Sequence, residues 1–264
     1  MTTEWRIWRA SAYGAVSDLQ GIFEANPNAN ANGNGQTGCP LIEACHFGYD
    51  SIVPVLLAHP GIDVNKKDSN GHTPLFRACY NGTTRCALFL LKDPRVDVKE
   101  QTANGETAFF RAAVEGFLPI VKTWIASGRE IDLGKPGNEK TDVIAAAGRK
   151  KKLEVAGLLE RFRENPESTR FEVRTELAWF DEVAALVFAY VIFVSDGLLE
   201  ISQEQATTPI SRFFAIARRL PLELQMVLCY RVVGSGKEGI RAEVTEAAFK
   251  ALAKRLQDTK KGKK

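Results

Sequence analysis

Along the first 163 residues, apolar and small side chains fall at positions that recur at a constant step of 34. Ala44, Ala78, Ala112 and Ala146 hold one such position. Leu41, Leu75, Phe109 and Val143 hold a second, and Cys39, Thr73, Thr107 and Thr141 a third. Gly48, Gly82 and Gly116 mark a fourth, with Lys150 in the next glycine slot. One step back from Ala44 lies Ala10, with Ile7 and Gly14 in register. A fixed period of roughly 20–50 residues marks a solenoid, in which each unit buries its apolar face against its neighbours. Such a chain presents a long surface and does not enclose a pocket.

Within one unit the pattern predicts two helices. Leu75, Ala78 and Cys79 fall at i, i+3 and i+4 and form one helical face. Thr73-Pro74 suits its start, because proline in the first turn lacks only a donor that has no partner there. Gly82 suits its end. The apolar run Cys86–Leu91 predicts an outer helix. Asn70-Gly71 and Asn104-Gly105 are turn dipeptides at the tips of the connecting hairpins.

Past Arg163 the period stops. Glu164–Ser168 reads as a hinge, and apolar stripes predict helices near Thr175–Val194, Ser211–Val233 and Glu243–Leu256. The chain thus divides into a repeat domain, 1–165, a helical domain, 170–258, and a disordered basic tail, 259–264.

The unit Gly71-His72-Thr73-Pro74-Leu75-Phe76-Arg77-Ala78, with Leu88–Leu91 and Val96-Asp97-Val98 after it, resembles the ankyrin repeat. The resemblance spans residues 4–163, or about five units. It implies an all-α fold: a solenoid of helix pairs with short hairpin loops, followed here by a small helical C-terminal domain. The family period is about 33. The extra residue here sits after the outer helix, in His59–Val64 and Asp93–Val98. The first unit carries Trp5 in the threonine slot and Asp18 at an apolar slot, as a terminal cap would. The last has Asp142 for proline, Lys150 for glycine and Glu154 at an apolar site. The family histidine after threonine-proline-leucine is replaced by Trp8, Ile42, Phe76, Phe110 and Ile144, so its usual hydrogen bond is absent.

Composition narrows the function. A net charge of +3 does not suit a generally basic nucleic-acid binder. Five cysteines with no C-x-x-C pair read as buried, reduced thiols of a cytoplasmic or nuclear protein. Met-Thr-Thr-Glu-Trp-Arg does not read as a signal peptide. Val183–Val194 has twelve uncharged residues, short of the ~20 a membrane span needs, and reads as a buried helix. The G-x-G-x-x-G string at Gly33–Gly38 lacks a preceding strand, and Gly234–Glu238 lacks the first glycine and the hydroxyl residue of a phosphate loop. His46, His59 and His72 occupy repeat surface positions with no metal-ligand spacing. No cofactor and no metal site is expected.

Leu220-Pro221-Leu222-Glu223-Leu224, with Leu228, resembles the opening of an F-box. Repeats followed by such a segment are similar in layout to poxvirus-type ankyrin proteins. That likeness implies docking on the adaptor of a cullin-type ubiquitin ligase; the competing reading is that Pro221 starts a core helix. The leading expectation is a non-catalytic platform that binds another protein, with no nucleic acid and no membrane. In ankyrin proteins the partner meets the hairpin tips and the ends of the inner helices. Those slots hold His46 and Phe47 in one unit, then Ser69, Asn70, His72, Tyr80 and Asn81. In the next they hold Ala103, Asn104, Glu106, Val114 and Glu115.

Overall fold

The computed structural model describes residues 1–33, 39–135, 142–177 and 179–195, together with Ala217, Gln225, Met226, Leu228, Cys229 and Ala248. These residues form α-helices and no strand; Gln101 and Thr107 make an isolated antiparallel bridge. Two compact units result, Met1–Val173 and Arg174–Lys264.

The first unit is a stack of helix pairs. They are α1 (Thr3–Ala12) with α2 (Val16–Ala25), and α3 (Pro40–Phe47) with α4 (Ile52–Leu57). Then come α5 (Pro74–Asn81) with α6 (Thr84–Lys92), and α7 (Ala108–Glu115) with α8 (Leu118–Ser127). The last pair is α9 (Val143–Arg149) with α10 (Leu153–Glu164). The inner helices α1, α3, α5, α7 and α9 pack in sequence, each on the next. Small residues make the close approach feasible: Ala44, Ala78 and Ala112 are fully buried, and Leu41 and Leu75 lie beside them.

Local chemistry sets where each inner helix starts and stops. Thr73 Oγ1 accepts from Phe76 N–H at 3.2 Å, and Thr107 Oγ1 accepts from Phe110 N–H at 3.2 Å. Each satisfies one amide that the first turn leaves without a partner. Gly82 and Gly116 end their helices in the left-handed region, at φ of 74° and 83°. Cys39, in the threonine slot of the second repeat, makes no side-chain cap. Asp142 was expected at the proline position, the first residue of the helix. It is instead the N-cap, with Oδ1 accepting from Ala145 N–H at 3.0 Å. An aspartate gains a hydrogen bond there that it cannot make inside the helix.

Successive loops are tied to each other by side-chain amides. Asn32 Oδ1 accepts from Asp63 N–H at 2.7 Å, and its Nδ2 donates to Gly61 O at 2.8 Å. Asn65 repeats the pattern one unit on, accepting from Asp97 N–H at 2.8 Å and donating to Arg95 O at 2.8 Å. These bonds hold the loops in step, and with them the hairpin tips.

The expected hinge at Glu164–Ser168 is a helix junction. Helix α11 (Pro166–Glu176) follows α10 after the single residue Asn165. Asn165 Oδ1 accepts from Ser168 N–H at 3.1 Å. Asparagine before proline is a helix-start signal, which explains why the chain turns without a linker. Arg170 then reaches back, donating to Ile125 O at 3.3 Å and lying over the Phe162 ring at 5.8 Å.

In the second unit, the helix expected over Thr175–Val194 is α12 (Trp179–Ser195), and its first residues belong instead to the end of α11. Ala184, Ala185, Phe188, Ala189 and Val191 are buried, as a core helix requires. Phe188, Val191, Ala217 and Cys229 form one apolar cluster, with Met226 and Leu228 packed against it. Among the described residues no helix is long and apolar enough to cross a membrane.

Candidate protein-binding face

The C-terminal ends of the inner helices and the hairpin tips bring most of the predicted residues to the surface of the stack. Phe47 is 55% exposed and Tyr80 46%. His46 is exposed and meets the Phe47 ring edge-on at 4.7 Å. Asn81 joins the two repeats, its Nδ2 lying 3.0 Å from His46 Nδ1. At the tips, Ser69, Asn70, Ala103 and Asn104 are exposed. Gly71 and Gly105, at φ of 76° and 78°, form the turns, and Ala103 N–H donates to Asn70 O at 3.5 Å between tips.

A run of stacked groups crosses this face. His72 stacks on Phe76 at 4.7 Å with an interplanar angle of 7°. Phe76 faces Tyr80 at 6.3 Å, and the Arg111 guanidinium lies over Tyr80 at 5.3 Å. Such stacking fixes rings that would otherwise rotate freely, and the cation adds attraction to the ring face.

Charges on the face are paired internally. Asp68 Oδ2 contacts Arg77 Nη2 at 2.6 Å and His72 Nδ1 at 3.1 Å, while Oδ1 accepts from the amides of Asn70 and His72 at 2.9 Å each. Partial burial pushes the Asp68 carboxyl up, but the His72 amide, Arg77 and the Asn70 amide outweigh it and hold it below the usual aspartate value. Arg111 bridges Glu106 and Glu115. Glu106 and Glu115 therefore act on Arg111 as much as on any partner.

Three expectations change. Val114 shares its slot with Tyr80 but is only 9% exposed. His72 is half-buried and engaged by Asp68, so it shapes the tip. His59 is not a surface residue: it is 6% exposed, with its ring 4.5 Å from Phe23. Tyr13 was missed. It is 72% exposed and stands one step before Phe47, so the period itself carried the signal. Arg77 and Arg111 were also missed; they too are related by the step of 34.

The cysteines offer no nucleophile. All five are buried free thiols. Burial pushes Cys39, Cys45 and Cys79 up, and Cys229 up to about 12, which keeps them protonated. Cys86 is lowered by a hydrogen bond with Cys45, but it is closed to solvent. No group of three metal-binding side chains occurs among the described residues. Of the F-box-like segment, Leu220, Pro221, Glu223 and Leu224 lie outside the described residues. Leu228 packs on the Phe188–Cys229 cluster, as a core residue does. Residues 34–38 of the first glycine string, the string at 234–238, the helix expected over 243–256 apart from Ala248, and the basic tail lie outside them too.

Comparison with known families agrees with the repeat geometry. The family model for ankyrin repeats in three copies matches residues 7–102 and again 41–135. No curated protein matches the chain. The two overlapping matches cover the first four helix pairs, and the fifth pair continues the same step and packing. The chain is an ankyrin-repeat protein, and its repeats are a protein–protein interaction module.

Proposed function

We propose that this protein is a non-catalytic platform that holds a protein partner across the exposed ends of its inner helices and the adjoining hairpin tips. The observation that carries the reading is the exposure of Tyr13, Phe47 and Tyr80 on successive repeats, at 72%, 55% and 46%. Large aromatics left in water on one side of a stack mark a partner surface, and aromatic anchors dominate binding energy at such surfaces. His46 and Asn81 lie between these anchors, and Ser69, Asn70, Ala103 and Asn104 supply polar contacts at the tips. The paired charges of Asp68, Arg77, Glu106, Arg111 and Glu115 suit a rigid protein-binding surface better than a phosphate backbone. Buried free thiols suit a reducing compartment, and we place the protein in the cytoplasm or nucleus.

The test begins with cross-linking of the full chain in extracts and identification of the cross-linked partner. Affinity for that partner is then measured with the double variant Phe47→Ala, Tyr80→Ala. Binding weakens at least about tenfold, given truncation costs of about 2 kcal/mol for aromatic anchors, while the thermal melt stays in place. Unchanged affinity assigns the partner to another surface.

A further inference from the structure

Four consecutive cations, Arg149, Lys150, Lys151 and Lys152, form the turn between α9 and α10. The step of 34 puts this turn on the binding face: Arg149 holds the slot of Tyr13 and Phe47, and Lys150 that of Gly48, Gly82 and Gly116. The contacts agree with the step. The Lys152 stem lies beside Gly116 as Phe117 lies beside Gly82 and Thr83 beside Gly48. The face therefore opens on aromatics in the first three repeats and ends on cations in the last.

These cations differ from the others on the face. Arg77 is paired with Asp68, and Arg111 with Glu106 and Glu115. Among the described residues Lys150, Lys151 and Lys152 make no ion pair, and Lys150 and Lys151 are exposed. Attraction to the carboxyl end of α9 accounts for Arg149, in its last turn, and Lys150, its cap. It does not account for Lys151, at φ 59° the one non-glycine residue in the left-handed region among the described residues. Glycine takes that backbone without strain, so the lysine costs stability in the free protein. Like charges on adjacent residues add repulsion, which a bound anion relieves.

The amides of the turn narrow the kind of anion. Lys150 N–H donates to Ala146 O at 3.2 Å, Lys151 N–H to Gly148 O at 2.9 Å and Lys152 N–H to Ala147 O at 2.9 Å. A single phosphate group, which backbone amides cradle, finds none free here. What the turn offers is several ammonium groups on flexible stems, which successive carboxylates along a peptide can meet one by one. The patch is also short. The slot one repeat earlier holds Glu115, and Glu154 is exposed three residues past Lys151. A nucleic acid needs a basic surface that extends further.

We propose that this turn binds a short Asp/Glu-rich segment of the protein partner, whose apolar part sits on Tyr13, Phe47 and Tyr80. The assignment rests on the aromatic face as the seat of that partner, and adds the charge pattern the partner carries.

The test is a titration of the 15N-labelled full chain, at low ionic strength, with hexaglutamate and, separately, with hexaglutamine and hexathymidylate. Hexaglutamate has no apolar side chain, so it reads the turn alone. It shifts the amides of Arg149–Lys152 saturably, with an affinity that falls as salt is added, and hexaglutamine does not. Residue-resolved signals separate the turn from the lysines at 260–264. Lys150→Glu with Lys151→Glu weakens both hexaglutamate and the cross-linked partner at least about fivefold, the margin of two exposed ion pairs. Lys150→Arg with Lys151→Arg keeps both. No shift at the turn, an equal shift with hexaglutamine, or tighter binding of hexathymidylate there overturns the proposal, as does a partner affinity that the charge reversal leaves unchanged. Phe47→Ala with Tyr80→Ala separates the two surfaces. If that variant weakens the partner while hexaglutamate leaves the turn unshifted, the aromatic face stands and the acidic segment is wrong. If hexaglutamate binds and charge reversal weakens the partner while the aromatic variant does not, the acidic segment stands and the aromatic face is wrong.

Discussion

In the third repeat, helix α5 starts where Thr73 caps Phe76 N–H and stops where Gly82 turns left-handed at φ 74°. In the fifth, α9 is capped by Asp142, one position past the threonine slot, and the left-handed residue is Lys151 at φ 59°, one position past the glycine slot. Ala78 is fully buried, whereas Ala146 is 5% exposed. A middle repeat is packed on both sides, so its neighbours fix both caps and both spacings. An end repeat has another repeat on one side only, and its caps drift by a residue at small cost. The register is therefore a property of the stack more than of any single unit.

Overpacking a middle inner helix breaks the stack most strongly. Ala112→Leu puts extra carbons between α7 and its neighbours, and destabilises by about 1–3 kcal/mol or more. The same change at Ala146, which holds the slot of Ala112 in the last repeat and is 5% exposed, costs less. Urea unfolding of both variants checks the contrast; equal losses would show that the end repeat is as tightly packed as the middle.

The caps sharpen the comparison by predicting opposite signs. Gly116→Ala forces a side chain into the left-handed region and against Lys152, and lowers stability by about 1–2 kcal/mol. Lys151→Gly relieves the same strain and raises stability by up to about 1 kcal/mol, reduced by the greater freedom glycine gives the unfolded chain. Differential scanning calorimetry measures both; a loss at Lys151→Gly would mean that the side chain contributes more than its backbone strain costs.

A smaller effect separates the hairpin tips from the helices. The Asp68 carboxyl has its pKa lowered in the folded protein, so its contribution is complete above the ordinary value of 3.8 and is lost as pH falls below it. Asp68→Asn therefore destabilises at pH 7 and has little effect at pH 2, as chemical denaturation at the two values would show. The loss stays modest, because Arg77, His72 and Asp68 are each about one-fifth exposed at the side chain.

Much of the first unit was legible in the chain because its determinants are local. Thr73 before Pro74, Gly82 after Asn81 and Ala78 on the face with Leu75 each act within one or two turns of helix. Their recurrence at one step then forces a stack. The aromatic face was partly legible for the same reason: Phe47 and Tyr80 stand at helix ends that the repeat does not need for its own packing. Tyr13 carried the same signal one step earlier. The second unit had no repeat to set its register, and the start of α12 fell four residues after the apolar stripe suggested.

Sequence by itself determined the period, the helix pairs, the threonine and glycine caps of the middle repeats and the small residues between inner helices. Each of these follows from steric and hydrogen-bonding preferences between residues close in the chain. Tertiary structure alone decided which of two residues in the same slot meets water, so that Tyr80 is exposed and Val114 is not. It decided that His59 is buried against Phe23 and that Arg111 lies over Tyr80. Those outcomes depend on neighbours some thirty residues away, a distance across which only packing acts.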